Sequence, residues 1–399
     1  MENFDVIIVG AGPAGLFAAQ KCAEANLKTL LLERKQEIGA PKRCAEGLSL
    51  SWFKTLGLKP NPEFCVQEIR GAKLYAPNGK TVELRSKEGA GYILERKIFE
   101  KHLAIEAVKK GAKIIAKANV ESVKKENGKV LVSVNHESEK KEFSADLIIA
   151  ADGIDSRIAR MLGMNTVNKL VDVDSGYQYE MTGIDGYEED LLHLFFGNEI
   201  ARRGYLWIFP KRKNTANVGI GIGGAVEKTA KKFLDEFIAS HPNLSKGSVI
   251  EVNAGGIPVG GFLENMVLDN LIVVGDAAHQ VDPIHGGGIG IAMEAGAIAA
   301  EVAAEAFKAK DLSQKFLSKY NKLWYERRGN NLMKRLRGRH LLERLSDDDF
   351  SYLAESLDMD EIMKIAHGTV DPATKLIMVT KKLVKRPGLA AIMAKYIVD

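Results

Sequence analysis

The first fifteen residues, with an acid at the end of the strand that follows them, restrict this chain more than any other feature. Phe4 to Val9 is a run of mostly β-branched apolar residues and reads as a short buried strand. It runs into Gly10-Ala11-Gly12-Pro13-Ala14-Gly15, a GxGxxG, and then into an alanine-rich helical pattern. A second apolar strand, Thr29-Leu30-Leu31-Leu32, ends in Glu33. Strand, glycine turn, helix, strand and acid form the βαβ dinucleotide fingerprint in its required context. Gly10 permits the tight turn, Gly12 lets the backbone approach a pyrophosphate, and Gly15 lets helix and strand pack closely. Pro13 suits the first helical turn, where its missing N–H has no partner to lose. The free amides at the helix start face the phosphates, and Glu33 is placed to accept hydrogen bonds from a ribose diol. A glycine turn in a plain α/β protein is the competing reading, and the complete context weighs against it.

The 399 residues are enough for two or three domains. A net charge of +4 is too small to argue for nucleic acid. Cys22, Cys44 and Cys65 are too few and too irregular for a disulfide framework or a metal site, so no metal is expected and a reducing, cytoplasmic compartment is. The chain enters a strand within a few residues, leaving no room for a signal peptide, and no apolar stretch reaches a membrane span.

After Glu33 a polar, glycine-punctuated loop runs through Arg43-Cys44-Ala45-Glu46-Gly47. Residues 69–84 read as a hairpin turning at Pro77-Asn78-Gly79, and strand alternation covers 113–134 with Asn127-Gly128 as its turn. Buried strands recur at 145–150, ending in Ala151-Asp152-Gly153, and at 270–274, ending in Gly275-Asp276. Between them, 175–222 is β-rich and 228–239 helical; beyond 289 the chain is mostly helical. The expected fold class is α/β: a discontinuous Rossmann-like dinucleotide-binding domain (1–68, 88–165, 266–310). A β-rich substrate domain (69–87, 166–265) is inserted into it, and a helical C-terminal region (311–399) follows. A carboxylate beside a glycine at a strand end can reach a hydroxyl without backbone obstruction, although either pair alone is common at strand ends.

With the three motifs in this order, the chain resembles the para-hydroxybenzoate-hydroxylase-like FAD enzymes. Arg43 to Gly47, Gly204-Tyr205-Leu206-Trp207-Ile208-Phe209-Pro210 and Pro283-Ile284-His285-Gly286-Gly287-Gly288-Ile289 narrow the likeness to the geranylgeranyl reductase family. Within it, the archaeal branch that saturates the chains of digeranylgeranylglycerophospholipids is most similar. The resemblance implies FAD as cofactor. It places Gly10, Gly12, Ala14, Gly15, Glu33, Arg34, Cys44, Ala45, Gly47, Arg96, Val120, Asp152, Asp276, Gly287, Gly288 and Ile289 at or beside it. Glu33 would hold the adenosine ribose and Asp276 would approach the ribityl chain. The backbone at Gly288 and Ile289 would meet the N1–O2 edge of the flavin, where a helix start favours the anionic reduced form. His285 stands where many relatives would carry Thr.

Tyr205, Trp207 and Phe209 alternate along one strand and share a face. By pattern alone this is a sheet core; the resemblance makes it the substrate-binding wall of an apolar cavity for a polyprenyl chain, with Phe195-Phe196 beside it. Cys44 either assists catalysis near the reacting alkene or packs as a small apolar group. The basic runs 327–340 and 381–386 are solvated helix faces by default. Alternatively they bind a headgroup phosphate, rest peripherally on the inner membrane surface or dock an acidic electron donor. No second GxGxxG with a following acid exists, since Gly219 to Gly224 lacks both helix and acid, so NAD(P)H bound transiently or a protein such as ferredoxin supplies the electrons. The expected activity is FAD-dependent hydrogenation of geranylgeranyl C=C bonds. A flavin monooxygenase, or a flavin-containing lipid-binding or electron-transfer module, is the rival on the same motifs.

Overall fold

The computed structural model describes residues 1–86, 88–224, 226–356, 388 and 391–392. The basic run at 381–386 lies outside them. In chain order the principal elements begin with β1 (Glu2–Val9), α1 (Pro13–Glu24), β2 (Thr29–Leu32) and α2 (Leu50–Leu56). Next come β3 (Gly71–Tyr75), β4 (Thr81–Arg85), α3 (Arg96–Lys109), β5 (Lys113–Ile115), β6 (Ala118–Glu126), β7 (Lys129–His136) and β8 (Glu139–Ala150). β9 (Val173–Thr182), β10 (Leu191–Phe195), β11 (Tyr205–Arg212), β12 (Thr215–Ile222), α4 (Ala230–Ser240) and β13 (Ser248–Pro258) follow. The last are β14 (Val267–Leu268), β15 (Leu271–Val273), α5 (Ile289–Ala309), α6 (Lys319–Trp324), a π-helical turn (Tyr325–Gly329), α7 (Asn330–Leu342) and α8 (Asp347–Ser356).

The chain divides into two compact units. The first comprises Met1–Cys65, Leu94–Val173 and Gly256–Leu336; the second comprises Val66–Ile93, Asp174–Gly255 and Arg337–Asp399. These spans divide the 311–399 stretch, set apart as one region on sequence grounds, between the two units. The reason is visible in the side chains of α6, where Tyr320 and Trp324 are wholly buried.

The sheet of the first unit runs in the order β14-β15-β8-β1-β2-β5, with β6 and β7 continuing from β8 as an antiparallel meander. β1 lies parallel to both β8 and β2, β8 parallel to β15, and β2 parallel to β5. Strands covered on both faces must be apolar at every position, and Val6, Ile7 and Ile8 are indeed wholly buried. Each such side chain contributes about 1.5–3 kcal/mol by leaving water. The β6–β7 turn uses Asn127 and Gly128 with φ of 50° and 79°, as a type I′ hairpin requires.

The sheet of the second unit runs β13-β9-β12-β11-β10-β3-β4. One of its faces packs against α4. Leu206 and Ile208 of β11, Val218 and Ile220 of β12, and Phe233, Leu234 and Phe237 of α4 form that core.

Candidate active site

Parallel register explains how three motifs far apart in sequence become one edge. Val9 is opposite both Ala150 and Leu32, and Ala150 is opposite Val273. The residues that leave the sheet next are therefore Gly10, Ala151-Asp152, Glu33 and Val274-Gly275-Asp276. They gather at the carboxyl ends of the strands, where open α/β sheets bind ligands. Gly10 has φ +106°, and a Cβ on it would lie 2.3 Å from Ala151 O. A Cβ at Gly15 would stand 1.9 Å from Gly10 O, whereas one at Gly12 would meet nothing within 4 Å. Two of the glycines thus serve packing, and the third leaves open space at the start of α1.

Glu33 is buried and its carboxylate is already engaged. Oε2 accepts the N–H of Ala11 at 2.7 Å and Oε1 that of Lys35 at 2.9 Å. Lone pairs remain on both oxygens, because a carboxylate offers about four acceptor sites. Asp152 Oδ2 accepts Ile158 N–H at 3.0 Å, while its buried Oδ1 has no hydrogen-bond partner among the described residues. Burial raises the pKa of Asp152, against the amides of Ile158 and Arg157. Burial also raises that of Asp276, and the charge of nearby Arg96 opposes it. Arg34 pairs with Asp155 at 2.8 Å, both half exposed, and Val120 is buried within β6.

The loop after β2 carries a second cluster. Lys42 and Glu46 form an ion pair at 2.9 Å, and both side chains are wholly buried. Glu46 Oε1 also accepts the Arg96 N–H at 2.9 Å, which ties the loop to the start of α3. Cys44 Sγ accepts the Glu46 N–H at 3.1 Å, and the Arg96 guanidinium is a second donor to it. Arg96 also pairs with Glu100 at 2.6 Å. Burial opposes the Arg96 charge, yet Glu100 and Cys44 hold its pKa above the ordinary arginine value. Ala45 and Gly47 lie in the same loop. Sequence reasoning missed Lys42, Glu46 and Glu100; the only available signal was a charged pair four apart around Cys44.

Gly287, Gly288 and Ile289 lead into the first turn of α5, and a Cβ at Gly288 would lie 3.5 Å from Asp276 Oδ1. Beyond it, Trp52 of α2 lies over Gly290, and the Arg328 guanidinium sits 4.5 Å from the Trp52 ring centre.

In the second unit Tyr205, Trp207 and Phe209 form a row, with ring centres 5.8 and 6.3 Å apart. They lie on the face of β11 opposite Leu206 and Ile208, so they are not part of the α4-side core. Trp207 Nε1 donates to Gln178 at 2.9 Å. Its ring covers Gly219, where a Cβ would come within 2.5 Å of the indole. The Gly219–Gly221 stretch is thus a floor for an aromatic ring. Lys211, next on the same face, forms a buried pair with Glu180 at 3.0 Å. The neighbouring phenylalanines divide. Phe196 approaches Tyr205 at 5.9 Å, but Phe195 turns into the opposite core and stacks on Tyr75 at 4.1 Å. Phe195 is therefore not part of the aromatic row, because successive strand residues point to opposite faces.

The basic run 327–340 is largely consumed by internal pairs. Arg327 reaches Glu301 at 2.9 Å, Arg328 pairs with Glu294, Arg335 stands 2.8 Å from Asp282, and Arg339 binds Asp174 at 2.7 Å. Lys334, Arg337 and His340 are exposed.

Topology and strand-end acids together describe an FAD-dependent oxidoreductase, and the FAD dependent oxidoreductase family model matches residues 5–167. FAD fits the residues present: there is open space at Gly12, an unpartnered buried oxygen on Asp152 and spare acceptor capacity on Glu33. The geranylgeranyl reductase catalytic domain model matches residues 172–257, the stretch that holds the aromatic row. A digeranylgeranylglycerophospholipid reductase of Methanocaldococcus jannaschii is 41% identical over 76% of this chain and 77% of its own length. One from Methanopyrus kandleri is 40% identical over 96% of both chains. A geranylgeranyl bacteriochlorophyll reductase-like structure from Thermoplasma acidophilum is 35% identical and superposes with a TM-score of 0.88, covering 99% of this chain and 100% of that one. This chain belongs to the geranylgeranyl reductase family. A flavin-dependent halogenase solved with FAD shares only the fold, at 15% identity and a TM-score of 0.70. Among the described residues no helix is long and apolar enough to cross a membrane, and no cluster of metal-ligating side chains occurs.

Proposed function

We propose that this protein hydrogenates the C=C bonds of geranylgeranyl chains on a digeranylgeranylglycerophospholipid, giving saturated phytanyl chains. The observation that carries the reading is the aromatic row of the matched reductase domain, present in a chain that also has the strand-end edge described above and is about 40% identical to reductases of that name.

Reduced FAD, when bound, supplies the hydride. In this reading the amides at the start of α1 hold the pyrophosphate beside Gly12, Glu33 the ribose and Asp276 the ribityl chain. Arg34, Ala45, Gly47, Val120 and Asp152 line the same site. The Gly288 and Ile289 backbone, at the start of α5, would hold the flavin ring. Tyr205, Trp207 and Phe209 hold the prenyl chain by apolar contact, and Gln178 fixes the Trp207 ring. Cys44 delivers the proton to the alkene carbon that the hydride does not reach. Its sulfur accepts the Glu46 N–H and lies beside the Arg96 guanidinium, which positions it in the loop, and solvent returns the proton after transfer. Electrons come from transiently bound NAD(P)H or from a protein donor such as ferredoxin. A lipid substrate further calls for contact with a membrane surface.

The test is anaerobic. The protein is reduced and then mixed with geranylgeranyl lipid under argon. The expected result is flavin reoxidation with a mass gain of two for each double bond saturated. Reoxidation only on admitting O₂, with a hydroxylated product, would replace this reading with a monooxygenase. Lipid binding without reoxidation would indicate a carrier. Cys44→Ser retains a donor and is expected to keep some turnover, while Cys44→Ala loses it; equal rates would assign the cysteine to packing.

A further inference from the structure

The loop from Asp282 to Gly288 closes on itself. Asp282 N–H donates to Gly287 O at 3.0 Å and Gly286 N–H to Asp282 O at 2.9 Å. Asp282 Oδ1 accepts the N–H groups of Ile284 and His285 at 2.9 and 3.3 Å. Its Oδ2 faces Arg335 Nε at 2.8 Å and His285 Nε2 at 3.2 Å. His285 supplies the final contact, its Nδ1 accepting the N–H of Gly287 at 3.1 Å. The imidazole lies directly on that glycine, where a Cβ would be 2.6 Å from His285 Cε1.

These contacts fix the tautomer. An Nδ1 that accepts an amide hydrogen carries no proton, so the proton of the neutral ring sits on Nε2, the nitrogen that stands 3.2 Å from Asp282 Oδ2. The His285 side chain is 54% exposed; desolvation by the loop around it lowers its pKa, Asp282 raises it and Arg335 lowers it. A proton added to Nδ1 would set a donor against the Gly287 donor and release the turn.

We propose that His285 is the positioning residue of this turn. By holding Gly287 it sets the path of Gly286–Gly288 into α5, and with it the fit of the Gly288 and Ile289 backbone to the flavin. The proposal rests on the reading of Gly288 and Ile289 as flavin contacts. A threonine hydroxyl at this position would not titrate near neutral pH; the histidine makes the turn sensitive to acid.

The experiment titrates FAD into flavin-stripped full-length protein between pH 5 and pH 8, and measures the midpoint potential of the loaded protein and the melting temperature of each variant. His285→Leu keeps bulk without an acceptor, and is expected to bind FAD about fivefold more weakly at pH 7.5, the worth of one hydrogen bond, with a lower midpoint potential. His285→Asn offers an amide oxygen to the N–H two residues on, as in an Asx turn, and is expected to restore both values. The wild type is expected to lose affinity on acidification, and His285→Asn to remove that loss. Gly288→Val tests the underlying reading. If Gly288→Val weakens FAD binding while His285→Leu matches wild type, the positioning role is overturned and the flavin contact stands. If Gly288→Val changes nothing, the contact itself fails and the proposal with it. Equal losses in His285→Leu and His285→Asn would also overturn the proposal.

Discussion

At the carboxyl edge of the parallel sheet the backbone shapes the candidate site, through glycine turns, amides at a helix start and strand ends brought level by register. On the aromatic face of the antiparallel sheet side chains do the shaping: an indole hydrogen-bonded to Gln178, a glycine floor and a buried Lys211–Glu180 pair. The first kind of site is written as short contiguous motifs, because a turn is a local object. The second is assembled from β9, β11 and β12, and no single stretch of sequence states it. The difference also predicts how each region fails: backbone sites break abruptly when a methyl group is added, and side-chain sites lose stability or specificity by degrees.

Substituting the packing glycine should have the largest effect. Gly15→Val places side-chain atoms against Gly10 O and is expected to unfold the nucleotide edge, seen as loss of the cooperative thermal transition and of bound FAD. Gly12→Val sharpens the contrast: the apoprotein should melt within about 0.5 kcal/mol of wild type, as for a surface change, yet bind FAD about a hundredfold more weakly because the phosphate approach is filled. If both glycines affect stability equally, the division between packing and binding glycines is wrong.

Removal of one buried charge comes next. Lys42→Ala removes the buried cation that faces the Glu46 carboxylate and should cost about 3–5 kcal/mol in chemical denaturation. Trp207→Phe keeps an aromatic ring but removes the buried hydrogen bond from Trp207 Nε1 to Gln178, at about 1–3 kcal/mol. FAD affinity should be unchanged, and turnover on long prenyl chains should fall; full turnover would return the aromatic row to the status of sheet core.

The smallest effect concerns pH. Burial pushes the Asp174 carboxyl up to about 6, with Arg339 opposing. An unfolded carboxyl titrates near 3.9. The folded state therefore holds this proton more tightly. The contribution of the group is fully present below about pH 4 and is lost as pH rises through about 6. Asp174→Asn should flatten that part of the curve of melting temperature against pH; an unaltered curve would mean that Arg339 compensates the burial fully.

Much of the first unit was legible because its signals are local. Strand, GxGxxG and Glu33 imply one another, and parallel pairing leaves little choice about which edge the later Asp-Gly and Gly-Asp pairs must reach. Alternation along 205–209 was equally readable, but it could not say which face meets α4. Phe195 was read onto the aromatic wall for that reason, and its stacking on Tyr75 places it on the other side. The arginines of 327–340 read as free positive charge because their partners, Glu301, Glu294, Asp282 and Asp174, lie as many as 165 residues away.

By itself, then, the sequence determined that an adenine dinucleotide is bound at the end of a parallel sheet, since a tight glycine turn, a helix start and a strand-end acid are each specified within a few bonds. Tertiary structure alone decided that Cys44 sits between two donors, that His285 accepts the Gly287 N–H, and that four arginines of the basic helix are paired internally. Those facts depend on side chains from remote segments arriving within 3–4 Å of one another, a distance set by packing that sequence spacing does not encode.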